Sequence, residues 1–360
     1  MNHDKALAAL MATTLVVLAG GVRFLMHASS IPVDARPDGG SGMVLATGVP
    51  EPEIPVSLIA VGDIMMSRTV ETRMKRHGMD YPLRETAGFL RDADITFGNL
   101  ECPITPGRAV APFTMSFRAP VESAAVLRDA GFDMLSLANN HSMNFGAKGI
   151  SDTFRYLAEN GMAFVGAGKD AEQANAPRFI EVRGLRFAFL AYNDDDVVPD
   201  GYEATDKRPG TAFMRIERMR EAVKAAKTQA DFVLVSMHSG AEYVNKPNRR
   251  QTDFARAAID AGAEMVIGHH PHVVQTLEKY NGKYIFYSLG NFVFDQMDTR
   301  DTREGLVVKV TFIHTGVAKI ALYPVLIHDY AQPRLLQGAE AEKVVKRLNY
   351  TVVEDEVFGE

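Results

Sequence analysis

Met265-Val266-Ile267-Gly268-His269-His270-Pro271-His272-Val273 is the stretch on which the fold turns. A short apolar run ends in Gly268, and three imidazoles follow within four residues. Extended backbone sends side chains two residues apart to the same side, so His270 and His272 are expected to face one space. Zinc and similar ions favour neutral imidazole, and a strand end aiming two of them together is half of a metal site. Alone, the segment also reads as a solvated histidine-rich turn. The rest of the chain bears on that choice.

The same grammar recurs. Val56 to Val61 ends in Gly62-Asp63, Asp94 to Phe97 in Gly98-Asn99-Leu100-Glu101, and Phe132 to Leu137 in Ala138-Asn139-Asn140-His141. Asp231 to Met237 ends in His238-Ser239-Gly240-Ala241-Glu242, and Tyr284 to Tyr287 in Ser288-Leu289-Gly290-Asn291. Between these runs lie helical patterns over Val121 to Ala130, Ala147 to Asn160, Arg215 to Lys227 and Gln251 to Ala261, with Gly161 and Gly262 as stops. Strands alternating with helices predict an α/β architecture with largely parallel strands, whose ligands gather beyond the strands' carboxyl ends. Two hairpins, Arg178 to Arg183 with Leu185 to Tyr192 and Leu306 to Phe312 with Ala318 to Pro324, are expected to form a second, more antiparallel sheet.

A length of 360 residues allows one large domain or two ordinary ones. A formal charge of -6, with no concentrated basic footprint, argues against nucleic acid as the main partner. It still permits an anionic substrate, because bound metal ions reverse the local field. Cys102 is the single cysteine, so no internal disulfide forms. Residues 1–30 carry Lys5, an apolar run from Ala6 to Val22, Arg23 and Phe24-Leu25-Met26, and read as a membrane anchor or a signal segment. No clear small-x-small cleavage site closes the run at the expected place, which favours the anchor. Residues 31–55, where the composition shifts to Pro, Gly and acidic residues with a Ser, read as a flexible linker. The folded domain is expected over 56–330, with a helical extension over 331–360.

The strand ends gather Asp63, Asn99, Glu101, Asn140, His141, His238, Glu242, His270, His272 and Asn291. Carboxylates, an amide and imidazoles from five strand ends are what two adjacent divalent ions need. Each residue has an ordinary alternative. Asp63 could be a turn or cap residue, Glu101 a solvated loop carboxylate, Asn139-Asn140-His141 a left-handed turn, and His238 a satisfied core histidine. Five such coincidences are harder to accept than one site.

Gly62-Asp63-Ile64-Met65, Asn99-Leu100-Glu101, Asn139-Asn140-His141 with Gly146 and Gly149, His238-x-Gly240-x-Glu242-Tyr243, Gly268 to Val273 and Tyr287 to Phe292 occur in that order. Together they resemble the CapA family of poly-gamma-glutamate capsule biosynthesis, within the calcineurin-like metallophosphoesterase superfamily. The resemblance covers roughly Val56 to Tyr330. It implies a metallophosphoesterase-like sandwich of two β-sheets flanked by helices, with two divalent ions (manganese, iron or zinc) at the loops. Asp63 and His272 would hold the first ion, Asn140, His238 and His270 the second, and Glu101 would bridge them. His141 would stabilise or protonate the leaving oxygen of an in-line displacement at phosphorus. Arg118 is a candidate anion clamp, as guanidinium matches phosphate or carboxylate bidentately; it also reads as a surface arginine covering apolar neighbours. Glu242 is a candidate to orient His238, and Asn291 to line the substrate site.

The chain also departs from the pattern. Met65 stands where the superfamily offers a histidine ligand, and Glu101 where it offers a bridging aspartate. Ser239 replaces a common aromatic, and Asn144 a common acidic residue. The resemblance further implies a protein anchored in the cell membrane with its domain outside, or secreted if the segment is cleaved, working beside capsule-synthase membrane components. Two functions follow: a metal-dependent hydrolase of capsule or poly-gamma-glutamate biosynthesis, or a non-catalytic component that binds, anchors or helps export that polymer.

Overall fold

The computed structural model describes residues 54–107 and 115–348. The expected anchor, nearly all of the linker and the last twelve residues lie outside these. Among the described residues, no helix is long and apolar enough to cross a membrane.

Val56–Ile64 shows why a sandwich forms. Its residues alternate between two apolar environments: Val56, Leu58 and Ala60 face one hydrophobic cluster, and Ile59 and Val61 face another. A strand apolar on both faces must be covered on both. It sits inside an eight-stranded sheet, parallel to Ile95–Leu100 on one side and antiparallel to Glu304–Ile313 on the other. Met134–Ser136 and Ala163–Val165 continue one flank in parallel, and Gly316–His328 and Gln332–Leu335 continue the other in antiparallel. The six-stranded sheet runs Leu277–Tyr280, Lys283–Phe286, Met265–His269, Phe232–His238, Leu185–Asn193, Arg178–Val182. The cluster shared by the two sheets includes Phe97, Phe187, Phe189, Phe232, Ile267 and Phe312.

Helices close both outer faces. Arg68–His77, Ser123–Ala130 and Gly146–Glu159 cover the first sheet through residues such as Val70, Met74, Leu127 and Ile150. Ile216–Lys227 and Arg249–Ala261 cover the second through Met219, Val223 and Phe254. The last begins two residues earlier than its apolar pattern suggests, because Asn248 and Gln251 form a reciprocal capping box.

Both expected hairpins form, but not as one antiparallel sheet. Leu185–Asn193 runs parallel to Phe232–His238 and, with Arg178–Val182, gives the six-stranded sheet one of its two antiparallel edges. Glu304–Ile313 instead pairs with the first strand of the other sheet. Each hairpin has an apolar inner face, and each sheet needs one to fill its share of the common core. After residue 330 the chain first adds the edge strand Gln332–Leu335, and the helix begins only at Gly338.

Candidate metal centre

Three strand ends converge because the backbone crosses between the sheets there. The segment 287–290 leaves Lys283–Phe286 in the second sheet and delivers Asn291–Val293 against the first strand, with Asp63 opposite Asn291. Two glycines permit the crossing. A Cβ on Gly62 would lie 2.0 Å from the Gly290 carbonyl oxygen, and one on Gly268 2.0 Å from that of Tyr287. Gly62-Asp63 and Gly268-His269 are therefore places where one backbone passes against another.

Around that crossing, Asp63, Glu101, His238, His270 and His272 are all buried. Ligating atoms of Asp63, Glu101 and His272 lie within 4.8 Å of one another. Asn99 Nδ2 donates to Asp63 Oδ1 (2.8 Å), and Asn139 Nδ2 donates to Asn99 Oδ1 (3.0 Å), a chain of amides that fixes the first carboxylate. The His270 backbone N–H donates to Asp63 Oδ2 (3.2 Å). His238 Nε2 and Asn140 Oδ1 stand 3.0 Å apart, a spacing that suits neighbouring donors on one ion.

Two asparagines set the imidazoles. Asn291 Nδ2 donates to Gln296 Oε1 and the Thr302 carbonyl, which leaves its Oδ1 to accept the His272 Nδ1 proton at 3.0 Å. The lone pair of His272 Nε2 then faces Glu101 Oε1, 3.8 Å away. This is the tautomer a metal ligand requires. Asn291, expected as a substrate contact, is fully buried and committed to His272, so it acts as a positioning group. In the same way Asn144 Oδ1 accepts the Phe117 N–H (2.9 Å) and the His141 Nδ1 proton (2.8 Å). His141 Nε2 is left with its lone pair 4.0 Å from Glu101 Oε1, and its ring stacks on Phe117 with centroids 3.8 Å apart.

Burial pushes Asp63 up, yet the close approach of the His269 and His272 rings, with the charges of His269 and His238, holds its carboxyl well below the usual range. Glu101 is driven well above its ordinary value by burial, then by the charges of Asp63 and Glu242. Burial brings His141 down to about 4 and His270 to about 3. His238 is also lowered, by burial and then the charge of His270. Neutral imidazoles beside buried carboxylates form a donor set suited to a cation.

Polar atoms left without partners show what the centre lacks. Glu101 Oε1 and His270 Nδ1 are buried with no hydrogen bond, an arrangement costing about 1–3 kcal/mol per group unless something binds them. Both are lone-pair donors, so a divalent ion fits where another protein donor is lacking. Backbone strain collects here too: Arg68, Tyr243, His270 and His272 all have positive φ, His270 at 99°.

Other sites differ from expectation. Arg118 turns Nη1 to the Gly107 carbonyl (3.4 Å), whereas Arg68 lies over the Phe117 ring, 4.5 Å from its centroid, and its charge opposes that of Glu101. No sequence signal singles out Arg68. His269, with Nδ1 3.2 Å from Asp63 Oδ1, was legible: Met265 and Ile267 face the shared core, so alternation puts His269 on that side. Met65 is packed in the outer apolar cluster, and its Sδ accepts the Ser67 N–H at 3.2 Å. Glu242 lies with His270 and His272, while the two ring nitrogens of His238 face Asn99 and Asn140.

The family described as "Bacterial capsule synthesis protein PGA_cap" matches residues 57–296. The chain is 35% identical over 301 residues to the capsule biosynthesis protein CapA of Bacillus anthracis, covering 81% of this chain and 72% of that protein. It is 37% identical over 290 residues to the PGA biosynthesis protein CapA of Bacillus subtilis (strain 168), covering 80% and 76%. A solved Staphylococcus aureus protein assigned as a 5'-nucleotidase, in complex with alpha-ketoglutarate, superposes with a TM-score of 0.50 at 14% identity, over 82% of this chain and 58% of that one. That last likeness shows the fold alone.

Proposed function

This chain belongs to the bacterial capsule synthesis family that includes the CapA proteins, and from that premise we propose that it is a metal-dependent hydrolase of capsule or poly-gamma-glutamate biosynthesis. Residues 1–30 would anchor it in the cell membrane with the domain outside, beside capsule-synthase membrane components. The observation that carries the hydrolase reading is the lone-pair set around Glu101 Oε1, buried and unpartnered, with His141 Nε2 at its edge.

Asp63, Glu101, His238, His270, His272 and Asn140 would hold two divalent ions. When bound, these would stabilise the attacking and departing oxygens of an in-line displacement. The chain's own residues do the rest. Asn291 and Asn99 orient His272 and Asp63, so those donors need no rearrangement. Asn144 keeps the His141 proton on Nδ1, leaving Nε2 free to accept a proton and pass it to a leaving oxygen. Phe117 and Phe294 wall the centre, with Phe294 4.8 Å from the His272 ring, and restrict water. The substrate class is an anionic ester or a glutamyl polymer.

A second reading, a non-catalytic component that holds or helps export the polymer, is favoured by Met65, which brings no donor to the centre. The full chain, purified without chelator, decides between them. The hydrolase reading expects close to two ions per chain, their loss in Glu101→Ala and His270→Ala, and retention in His141→Asn. On whichever phosphodiester, phosphomonoester or glutamyl polymer is cleaved, His141→Asn should be slower by about 100-fold. No metal in the parent, even with added manganese, iron or zinc, would sink the hydrolase reading and leave the polymer-binding one.

A further inference from the structure

We propose that Glu242 is itself a ligand of the metal centre, joining His270 and His272 in place of the donor that Met65 does not bring. The inference rests on the metal-centre reading above and names a residue that binds rather than orients.

Met65 is committed elsewhere, its thioether sulfur accepting a backbone N–H within the outer apolar cluster. The compensation comes from the other sheet. After Phe232–His238 the chain turns at Gly240 (φ 120°) and again at Tyr243 (φ 64°). The Tyr243 N–H then donates to the Pro271 carbonyl at 2.8 Å, which clamps this loop onto the turn carrying the two histidines. The Tyr243 hydroxyl is held in turn by Gln296 Nε2 at 3.1 Å. The clamp leaves one ligating atom from each of Glu242, His270 and His272 within 4.8 Å of one another.

A second observation points to an ion there. His270 is 3% exposed, and its Nδ1 has no hydrogen-bond partner. A buried imidazole with an unpartnered nitrogen, grouped with a carboxylate, is what a cation would satisfy. The carboxylate also does not orient His238, whose Nδ1 and Nε2 face Asn99 (3.4 Å) and Asn140 (3.0 Å). A third carboxylate would bring the donor charge closer to that of two dications.

The test is spectroscopic, in the full chain. Glu242→Cys loaded with cobalt(II) should show a thiolate-to-cobalt charge-transfer band in the near ultraviolet, absent from the parent and from Glu242→Ser. The background is clean: Cys102, the only native thiol, is buried and pushed up to about 12 by that burial. Glu242→Gln should weaken one ion by more than the ~10–100-fold that loss of a positioning partner costs. Glu242 is an exposed loop residue, so these variants should fold, and equal melting temperatures without metal would show that they do. A parent that binds metal, with no band in Glu242→Cys and unchanged affinity in Glu242→Gln, would overturn the inference and leave the metal-centre reading standing. A parent that binds no cobalt, manganese or zinc would overturn that reading and the inference with it.

Discussion

Asp94 shows how much one carboxylate can do away from the centre. Its Oδ2 accepts the Ser57 backbone N–H and hydroxyl, each at 2.8 Å, and Arg183 reaches it from the turn of the other sheet's hairpin. Burial raises its carboxyl, but Ser57 and Arg183 outweigh burial and leave it below the usual 3.8. The sign follows: the unfolded chain takes the proton first, so this contribution is present above about pH 4 and lost as pH falls through the folded value. Arg183 is 43% exposed, so its ion pair is screened, and the Ser57 hydrogen bonds carry most of the effect. Asp94→Asn should cost about 1–2 kcal/mol in urea unfolding at pH 7, with the gap from the parent narrowing as pH falls below about 4. Single residues were legible in the sequence where a chemical type met a strand end, as at Asp63, Glu101 and His272. Asn291 was legible in place but not in role, since only its buried amide contacts show it serving a histidine. Arg68 was illegible, because its importance comes from a ring distant in sequence, Phe117, and a carboxylate beyond it.

At the scale of elements, the crossing at residues 287–290 governs the site, and Gly268 is its pivot. A methyl group there would meet the Tyr287 carbonyl at 2.0 Å, backbone that no rotamer can relieve. Gly268→Ala should lose about 1–3 kcal/mol in thermal or urea unfolding and reduce metal content, as the turn that follows carries His270 and His272. Gly88, in helix Ala87–Arg91 with nothing within 4 Å of its would-be Cβ, is the control, and Gly88→Ala should be neutral or slightly stabilising. Most strands and helices were legible because apolar periodicity reports which faces are buried. The sheet each hairpin joins was not, because a hairpin with one apolar face fits either sheet. Helix Arg68–His77 was missed for another reason: only Val70 and Met74 of its ten residues are buried, too few to make a pattern.

For the molecule as a whole, the donors matter by where they come from. Asp63, Glu101 and Asn140 lie at or just past the ends of strands of the eight-stranded sheet, and His238, His270 and His272 at or just past those of the six-stranded one. Ions shared by these residues would join the two sheets at one end of their common core. A ligand that binds only the folded state adds about 2.7 kcal/mol at a hundred times its dissociation constant. Calorimetry with manganese or zinc at that excess should raise the melting temperature by roughly 5–10 °C in the parent and leave Glu101→Ala unmoved. Chelator should reverse the rise. The α/β sandwich was readable from the order of strand ends, and the pairing of its two faces was not, because partner choice is decided by shape in the shared core.

The positive φ angles at His270 and His272 set two kinds of selection against each other. Glycine would accept either backbone shape at less cost than histidine, so a library screened only for heat resistance without metal would drift toward glycine there. Each gain in robustness would erase a ligand. Any lineage that keeps both imidazoles on that turn carries a record of chemistry outweighing durability.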